Sequence, residues 1–131
     1  MKQILIAASI ALLASTTALA RQAPLVEPPR VALSTQTAEQ VRGYIVNGAR
    51  TLGWTVVSEK DGQVTLKFNK QNKHEVVINA DYDAKGYQLR YVSSSNMNFE
   101  EANGQREIHP NYNRWINNLI KRIGEAQTMA Q

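Results

Sequence analysis

The sequence predicts an α+β fold in which a helix, a four-stranded antiparallel meander and a second helix follow one another. Two observations indicate the helices, because apolar residues recur at helical spacing over residues 41–52 and again over residues 112–123. A third indicates the sheet, since apolar and polar residues alternate between residues 54 and 94. Each helix has one apolar stripe and the sheet has one apolar face. We therefore expect a two-layer sandwich with both helices on one sheet face.

Residues 1–20 have the features of a cleaved export signal. Lys2 precedes an apolar run that is too short to cross a bilayer, and Ala18-Leu19-Ala20 matches the small-x-small pattern of a signal peptidase site. The chain has no cysteine, so disulfides, thiolate chemistry and lipid attachment to an N-terminal cysteine are not expected. We expect cleavage after Ala20 and a soluble mature chain without a transmembrane segment, located in the periplasm or secreted.

The charge balance excludes some partners. The chain carries 15 basic and 11 acidic side chains, a net charge of +4 that is spread along the sequence. This mild excess favours weak attraction to anionic envelope surfaces and is far from the footprint of a nucleic-acid-binding protein. The expected partner is an envelope protein or a glycan, with no nucleic acid, and the sequence leaves the oligomeric state open.

Residues 21–36 contain three prolines and neither a helical nor an alternating period. They predict an extended N-terminal segment. A spacer between the cleavage site and the domain is the preferred interpretation, because chain ends are commonly disordered unless tied down, and a docking peptide is the alternative. The domain then covers residues 37–125, and residues 126–131 form a C-terminal tail.

The first helix begins with the spacing of a capping box at Thr37 and Gln40. Gly53 is placed to end this helix. Gly48 lies on the apolar stripe, which predicts close backbone contact with a neighbouring element. The stripe consists of Val41, Tyr44, Ile45, Gly48, Ala49 and Leu52.

Four short strands follow, and the dipeptide Asp61-Gly62 predicts a tight turn between the first two. The residues predicted to share a face with the core are Val64, Leu66, Phe68, Val76, Ile78, Ala80, Tyr87, Leu89, Tyr91 and Ser93. Val57, Val77 and Val92 are predicted on the opposite face. They suggest a further hypothesis, a structural envelope protein that pairs through this exposed face.

Residues 95–109 are predicted to be a polar loop, and loops of this length in compact domains are often functional. The last helix begins at Pro110, which suits a first helical position, and Gly124 can cap its end. Its apolar stripe is Tyr112, Trp115, Ile116, Leu119, Ile120 and Ile123.

No residue is predicted to be catalytic, and neither a metal nor a cofactor is expected. Residues 81–86 resemble the start of a calcium loop, but Lys85 stands where an oxygen ligand is needed and Val92 cannot supply the final carboxylate. The serines of residues 93–95 lack the Gly-x-Ser-x-Gly elbow. His74 and His109 have no metal-ligand spacing, so structural roles are favoured, with His109 placed to cap the last helix.

A concentration of amide, hydroxyl and aromatic groups marks the candidate binding surface. These groups lie at the end of the fourth strand, in the long loop and at the start of the last helix. Aromatic and amide groups together can bind sugars or peptides by stacking and hydrogen bonding, without a titrating group. The candidate residues are Tyr91, Ser93, Asn96, Asn98, His109, Asn111 and Asn113. The alternative is that Tyr112 and Trp115 are core residues and the asparagines satisfy loop backbone.

Two segments carry a family resemblance. Residues 91–97 (YVSSSNM) and 108–119 (IHPNYNRWINNL) resemble small uncharacterised envelope proteins and lipoproteins of Gram-negative bacteria, which pair a YxxSxN strand end with an IHxxYNxWxxNL helix start. The resemblance covers residues 40–124. It implies a periplasmic or outer-membrane-associated location and no assigned activity. The chain departs from the lipoproteins in lacking the lipidated cysteine.

The function predicted from these features is that of a non-catalytic binding or accessory protein of the cell envelope. The alternative is a small hydrolase or metal-dependent enzyme that uses His109 with carboxylates brought near it by folding. A pocket with a carboxylate in hydrogen-bond reach of His109 would favour this alternative.

Overall fold

The computed structural model describes residues 22–34 and 36–130, so the predicted signal and its cleavage site lie outside the described residues. Within these ranges the chain forms two helices and two antiparallel sheets, which confirms the predicted α+β class. In chain order the elements are β1 Ala23–Pro24, β2 Val31–Ala32, α1 Ala38–Thr51, β3 Thr55–Lys60, β4 Gln63–Lys70, β5 His74–Asp83, β6 Gly86–Ser95, β7 Glu100–Ala102, β8 Gln105–Ile108 and α2 Asn111–Met129.

The larger sheet has the strand order β2-β6-β5-β4-β3, and every neighbouring pair is antiparallel. Its register aligns Val64 with Ala80 and Ala80 with Leu89, so apolar side chains form rows across one face. These rows share a single buried core with the helices. The sheet contributes Val64, Leu66, Val76, Ile78, Ala80, Tyr87 and Leu89, and the helices contribute Val41, Tyr44, Ile45, Val46, Ala49, Tyr112, Ile116, Leu119 and Ile123.

Two β-bulges change which residues face the core. One falls between Val56 and Ser58, and the other places Ser93 opposite Val77 with Val92 as the extra residue. Ser94, not Ser93, therefore lies opposite the buried Val76, so the prediction that Ser93 shares the apolar face was wrong. An inserted residue reverses the alternation of a strand beyond it, and it leaves Val92 47% exposed.

The first helix begins as predicted. The Thr37 hydroxyl accepts a hydrogen bond from the Gln40 backbone at 3.1 Å, and the Gln40 side chain accepts one from the Thr37 backbone at 2.8 Å. Gly48 marks the crossing of the two helices, because a methyl carbon built on it would lie 2.8 Å from the backbone nitrogen of Ile123. The predicted close approach at Gly48 is confirmed.

Helix α2 continues past Gly124 to Met129, so most of the predicted C-terminal tail is helical. Ala126 packs against the buried core, and the Thr128 hydroxyl donates a hydrogen bond to the Gly124 carbonyl at 3.1 Å. Glycine caps a helix by taking a left-handed conformation, whereas Gly124 does not have a positive φ and lies inside the helix.

The prediction of a polar loop over residues 95–109 was wrong in part, because two strands lie within it. Strands β7 and β8 form a hairpin around Asn103 and Gly104, whose φ angles are 54° and 76°. A two-residue hairpin turn with positive φ at both positions is the type I′ turn that an Asn-Gly dipeptide favours. Strand β1 pairs with β8 to complete a small sheet of order β1-β8-β7.

The N-terminal segment is extended, as its prolines indicated, but it is part of the fold and not a spacer. Ala23 pairs with Ile108 in the small sheet, and Val31 pairs with Tyr87 in the large one. Leu33 donates a further backbone hydrogen bond to the Lys85 carbonyl at 2.8 Å. Strands of two residues carry no readable alternation, which explains why the sequence pattern missed them.

Over residues 22–34 and 36–130, neither helix combines the length and the apolar character that a membrane span requires.

Candidate functional site

The predicted surface residues gather around the end of β6, the turn that follows it and the start of α2. Asn96 and Asn98 have φ angles of 60° and 55°, a left-handed conformation that asparagine tolerates better than most residues. The Asn96 side chain donates to the Lys73 carbonyl at 3.0 Å. The Asn98 carbonyl accepts a hydrogen bond from the Gln22 side chain at 2.9 Å. Both asparagines therefore shape the turn.

His109 caps the start of α2. Its Nδ1 accepts a hydrogen bond from the Asn111 backbone N–H at 3.0 Å, and its own backbone N–H donates to the Met97 carbonyl at 2.7 Å. This confirms the predicted role at the helix start. An accepting Nδ1 carries no proton, so the neutral ring carries its proton on Nε2. In that tautomer neither ring nitrogen is available to take up a proton or bind a metal ion unless the cap is broken.

The second histidine lies close to the first, with 6.3 Å between the ring centroids of His74 and His109. The His74 Nδ1 donates to the Asn96 carbonyl at 2.8 Å, because a carbonyl oxygen can only accept. Across residues 22–34 and 36–130, no group of three or more histidine, aspartate or glutamate side chains is arranged to hold a metal ion. His74 thus holds the turn after β6 at Asn96, and His109 links the same turn at Met97 to the start of α2.

Asn113 fastens the N-terminal segment to α2. Its side-chain oxygen accepts a hydrogen bond from the Val26 backbone N–H at 3.0 Å, and its side-chain nitrogen donates to the Pro24 carbonyl at 2.9 Å. One amide thereby satisfies one donor and one acceptor of an extended strand, as a neighbouring strand would. Asn111 is half-buried beside it and supplies the backbone N–H that His109 accepts.

Tyr91 is the centre of an aromatic cluster. Its ring stacks on Phe99 with 4.7 Å between centroids and meets Tyr112 edge-on at 5.7 Å. Its hydroxyl shares a 2.7 Å hydrogen bond with the Ser94 hydroxyl, and its backbone N–H donates to the Glu27 carboxylate at 2.7 Å. Burial raises the pKa of the Tyr91 and Tyr112 phenols. Both rings are therefore neutral at physiological pH.

A half-open cleft of about 370 Å³ lies beside this cluster, between the end of β6 and the β7–β8 hairpin. The Arg106 guanidinium is held by the Glu27 carboxylate at 3.2 Å, and Glu101 stands directly opposite Arg106 in the hairpin. The cleft therefore combines a ring face, hydroxyls and charges of both signs. Its lining residues are Tyr91, Val92, Ser93, Ser94, Phe99, Glu101 and Arg106.

Two of the predicted surface residues, Tyr91 and Ser93, line this cleft. The side chains of Asn96, His109 and Asn113 instead form hydrogen bonds with backbone groups of neighbouring segments. The sequence pattern missed Glu101 and Arg106, because residues 95–109 were interpreted as a polar loop. The overlooked signal was the dipeptide Asn103-Gly104, which indicates a hairpin and places its two strands side by side.

Comparisons with protein-family models, with curated proteins and with solved structures found no match to this chain. The function is therefore inferred from the chemistry of the described residues.

Proposed function

We propose that the protein is exported to the periplasm, where it serves as a non-catalytic binding or accessory protein of the cell envelope. The export signal and the resemblance to small Gram-negative envelope proteins support the location. The binding role is supported by one observation above all, the half-open cleft between β6 and the β7–β8 hairpin. Its expected ligand is a segment of an envelope protein or a glycan.

The composition of the cleft fits a ligand held by stacking and hydrogen bonds. Phe99 contributes a half-buried ring, and Val92 and Ser93 are exposed beside it. Arg106 is held in place by Glu27, so it can donate to a ligand oxygen at little further cost in side-chain entropy. Such groups recognise a polar, extended ligand without transferring a proton.

The enzyme hypothesis has weaker support. His109 would have to release the Asn111 backbone N–H before its Nδ1 could act as a base, and α2 would lose that capping contact. The general-acid and general-base roles require a group that is poised at the reacting atoms. A binding role uses the groups of the cleft as they stand.

We propose a finer architecture as well, a two-layer sandwich in which the β3–β6 meander carries both helices on one face. The shared buried core of the strands and the helices supports it. The opposite face carries cross-strand polar pairs, including Thr65 with Asn79 at 2.7 Å and Gln63 with Asp81 at 2.8 Å. Pairing through that face would desolvate these groups, which weakens the hypothesis of a structural protein that pairs there.

The proposed location is tested by expressing the full chain in a Gram-negative host and fractionating the cells. We expect a periplasmic protein whose intact mass equals that of residues 21–131. A full-length protein that stays in the cytoplasm would overturn this part of the proposal, whatever the cleft binds.

The proposed surface is tested by photo-crosslinking in the host cells. A photoreactive residue replaces Ser93 in the cleft or, as a matched control, Ser58, an exposed serine on the edge strand β3. We expect a discrete adduct from position 93 and none from position 58. Protease and muramidase digestion then separates a protein partner from a glycan. Equal labelling at both positions, or none at position 93, would contradict the proposal.

A further inference from the structure

A second concave site lies apart from the cleft, where the end of α1, the start of β3 and the end of β4 meet α2. It is a half-open pocket of about 200 Å³. Both tryptophans of the chain line it, although the sequence pattern assigned them to a strand and to the core. The lining residues are Leu52, Trp54, Phe68, Lys70, Trp115 and Asn118.

The wall of this pocket is a fixed aromatic arrangement. Trp54 is only 2% exposed and stacks on Phe68 with 5.2 Å between centroids. Trp115 meets Phe68 edge-on at 5.0 Å with 72° between the ring planes. Phe68 and Trp115 are half-buried, so each keeps part of its ring accessible from the pocket. Rings held at a steep angle form a corner that suits a small apolar body.

The rim of the pocket is polar and carries positive charge. Lys70 is the charged residue of the lining, and no carboxylate contributes to it. The ion pairs formed within residues 22–34 and 36–130 do not include Lys70. Lys73 follows in the same turn as a second exposed basic residue. Asn118 lies one helical turn after Trp115 and offers an amide to a ligand oxygen.

We propose that this pocket binds a small organic anion, a single ring that carries one carboxylate. The apolar body lies against Trp115 and Phe68, and the carboxylate meets the Lys70 ammonium and the Asn118 amide. The volume of about 200 Å³ matches one ring, since pockets for drug-sized ligands start at about 300 Å³. The proposal is independent of the cleft, which shares no lining residue with this pocket.

Tryptophan fluorescence provides the test, because both tryptophans line the pocket. The purified chain is titrated at constant ionic strength with benzoate, with the neutral analogue benzyl alcohol and with the cation benzylamine. Excitation at the long-wavelength edge of tryptophan absorption is used, because the ligands do not absorb there. We expect a saturable change with benzoate, about tenfold weaker binding of benzyl alcohol and no binding of benzylamine. Shifts of the two indole N–H signals in NMR spectra provide a second readout.

Two matched variants test whether the ammonium group of Lys70 binds the carboxylate of the ligand. Lys70→Gln removes the ammonium at the rim, and Lys85→Gln does the same at an exposed turn at the other end of the sheet. We expect Lys70→Gln to weaken benzoate binding about tenfold and Lys85→Gln to leave it unchanged. Equal affinities of the two variants, equal binding of benzoate and benzyl alcohol, or the absence of any saturable signal would overturn the proposal.

Discussion

The two sheets of this protein are assembled in different ways. In the larger sheet, β3 to β6 are neighbours both in the chain and in space, and their buried residues join one apolar core. The smaller sheet brings β1, near the start of the described chain, against β8, which lies more than 80 residues later. Strand β7 is exposed throughout, and Ile108 is the buried residue of β8. Apolar burial therefore holds the larger sheet far more than it holds the smaller one.

Polar side chains take the place of a core in the smaller sheet. Asn113 clamps the backbone of the N-terminal segment, and Gln22 donates to the Asn98 carbonyl and to the Glu100 carboxylate. Regions with few buried apolar contacts open locally at low free energy, and binding segments are drawn from them. The cleft lies on this side of the molecule, next to the hairpin of the smaller sheet. We expect this region to open without global unfolding.

The largest effect is expected at the crossing of the two helices, where Gly48 meets the Ile123 backbone. Gly48→Ala would place a methyl group against the Ile123 backbone and force the helices apart, at about 1–3 kcal/mol in the free energy of unfolding. Gly43→Ala on the same helix meets no atom within 4 Å and is expected to stabilise the protein by about 0.5–1 kcal/mol. Urea unfolding measures both, and equal signs for the two variants would contradict the helix crossing.

A smaller and more local effect is expected from the clamp. Asn113→Ala removes two hydrogen bonds to the N-terminal segment. We expect this loss to lower the local stability of the segment by about 1–2 kcal/mol. Hydrogen exchange at the Val26 amide should accelerate, while amides in β5 keep their protection. Asn117→Ala, an exposed asparagine of the same helix, is the control. Equal acceleration in β5 would mean that the segment unfolds only with the whole domain.

The alternation of the sequence predicted β4, β5 and β6 because each of these strands is long enough to show a period and has one buried face. The bulge at Val92 escaped prediction, since an extra residue changes the register without changing composition. The pairing of β1 with β8 escaped for another reason. It depends on contacts across the whole domain, and no local pattern encodes those.

For the candidate site, as for the sheets, local features were predicted and contacts between distant elements were not. The capping role of His109 is local, so its position before the helix was enough to predict it. The clamp formed by Asn113 and the convergence of Trp54, Phe68 and Trp115 depend on how distant elements pack. Trp115 lies at the edge of the apolar stripe of α2, which was the available hint that part of its ring stays accessible.

The hairpin turn gives a third way to separate the two sheets. Asn103→Val places a β-branched residue at a φ of 54°, a strain of about 1–2 kcal/mol that falls mainly on β7 and β8. We expect loss of hydrogen-exchange protection in the hairpin together with a smaller fall in the urea midpoint. Asn103→Gly, which accepts positive φ, should keep the hairpin. Equal behaviour of the two variants would exclude a left-handed turn at this position.

The smallest effect concerns an exposed carboxylate at the end of β5, the central strand of the larger sheet. The Lys85 backbone N–H, at 2.8 Å, and then the Arg30 guanidinium hold the pKa of Asp83 below its ordinary value of 3.8. A lowered folded-state pKa means that the contribution is present above pH 3.8 and is lost as the pH falls through the folded value. Because both groups are exposed, solvent screening keeps this contribution small.

NMR titration of the Asp83 carboxyl group checks this expectation and ranks its two causes. Arg30→Gln should raise the midpoint but leave it below the ordinary value, because the Lys85 N–H remains and is the larger cause. The Val31 amide, next to Arg30 in β2, should shift with the same midpoint in the unmodified protein. If Arg30→Gln left the titration midpoint of Asp83 unchanged, the contact of Arg30 with Asp83 would not tie the N-terminal segment to the larger sheet. The backbone pairing of β2 with β6 would then hold this part of the segment on the larger sheet without the ion pair.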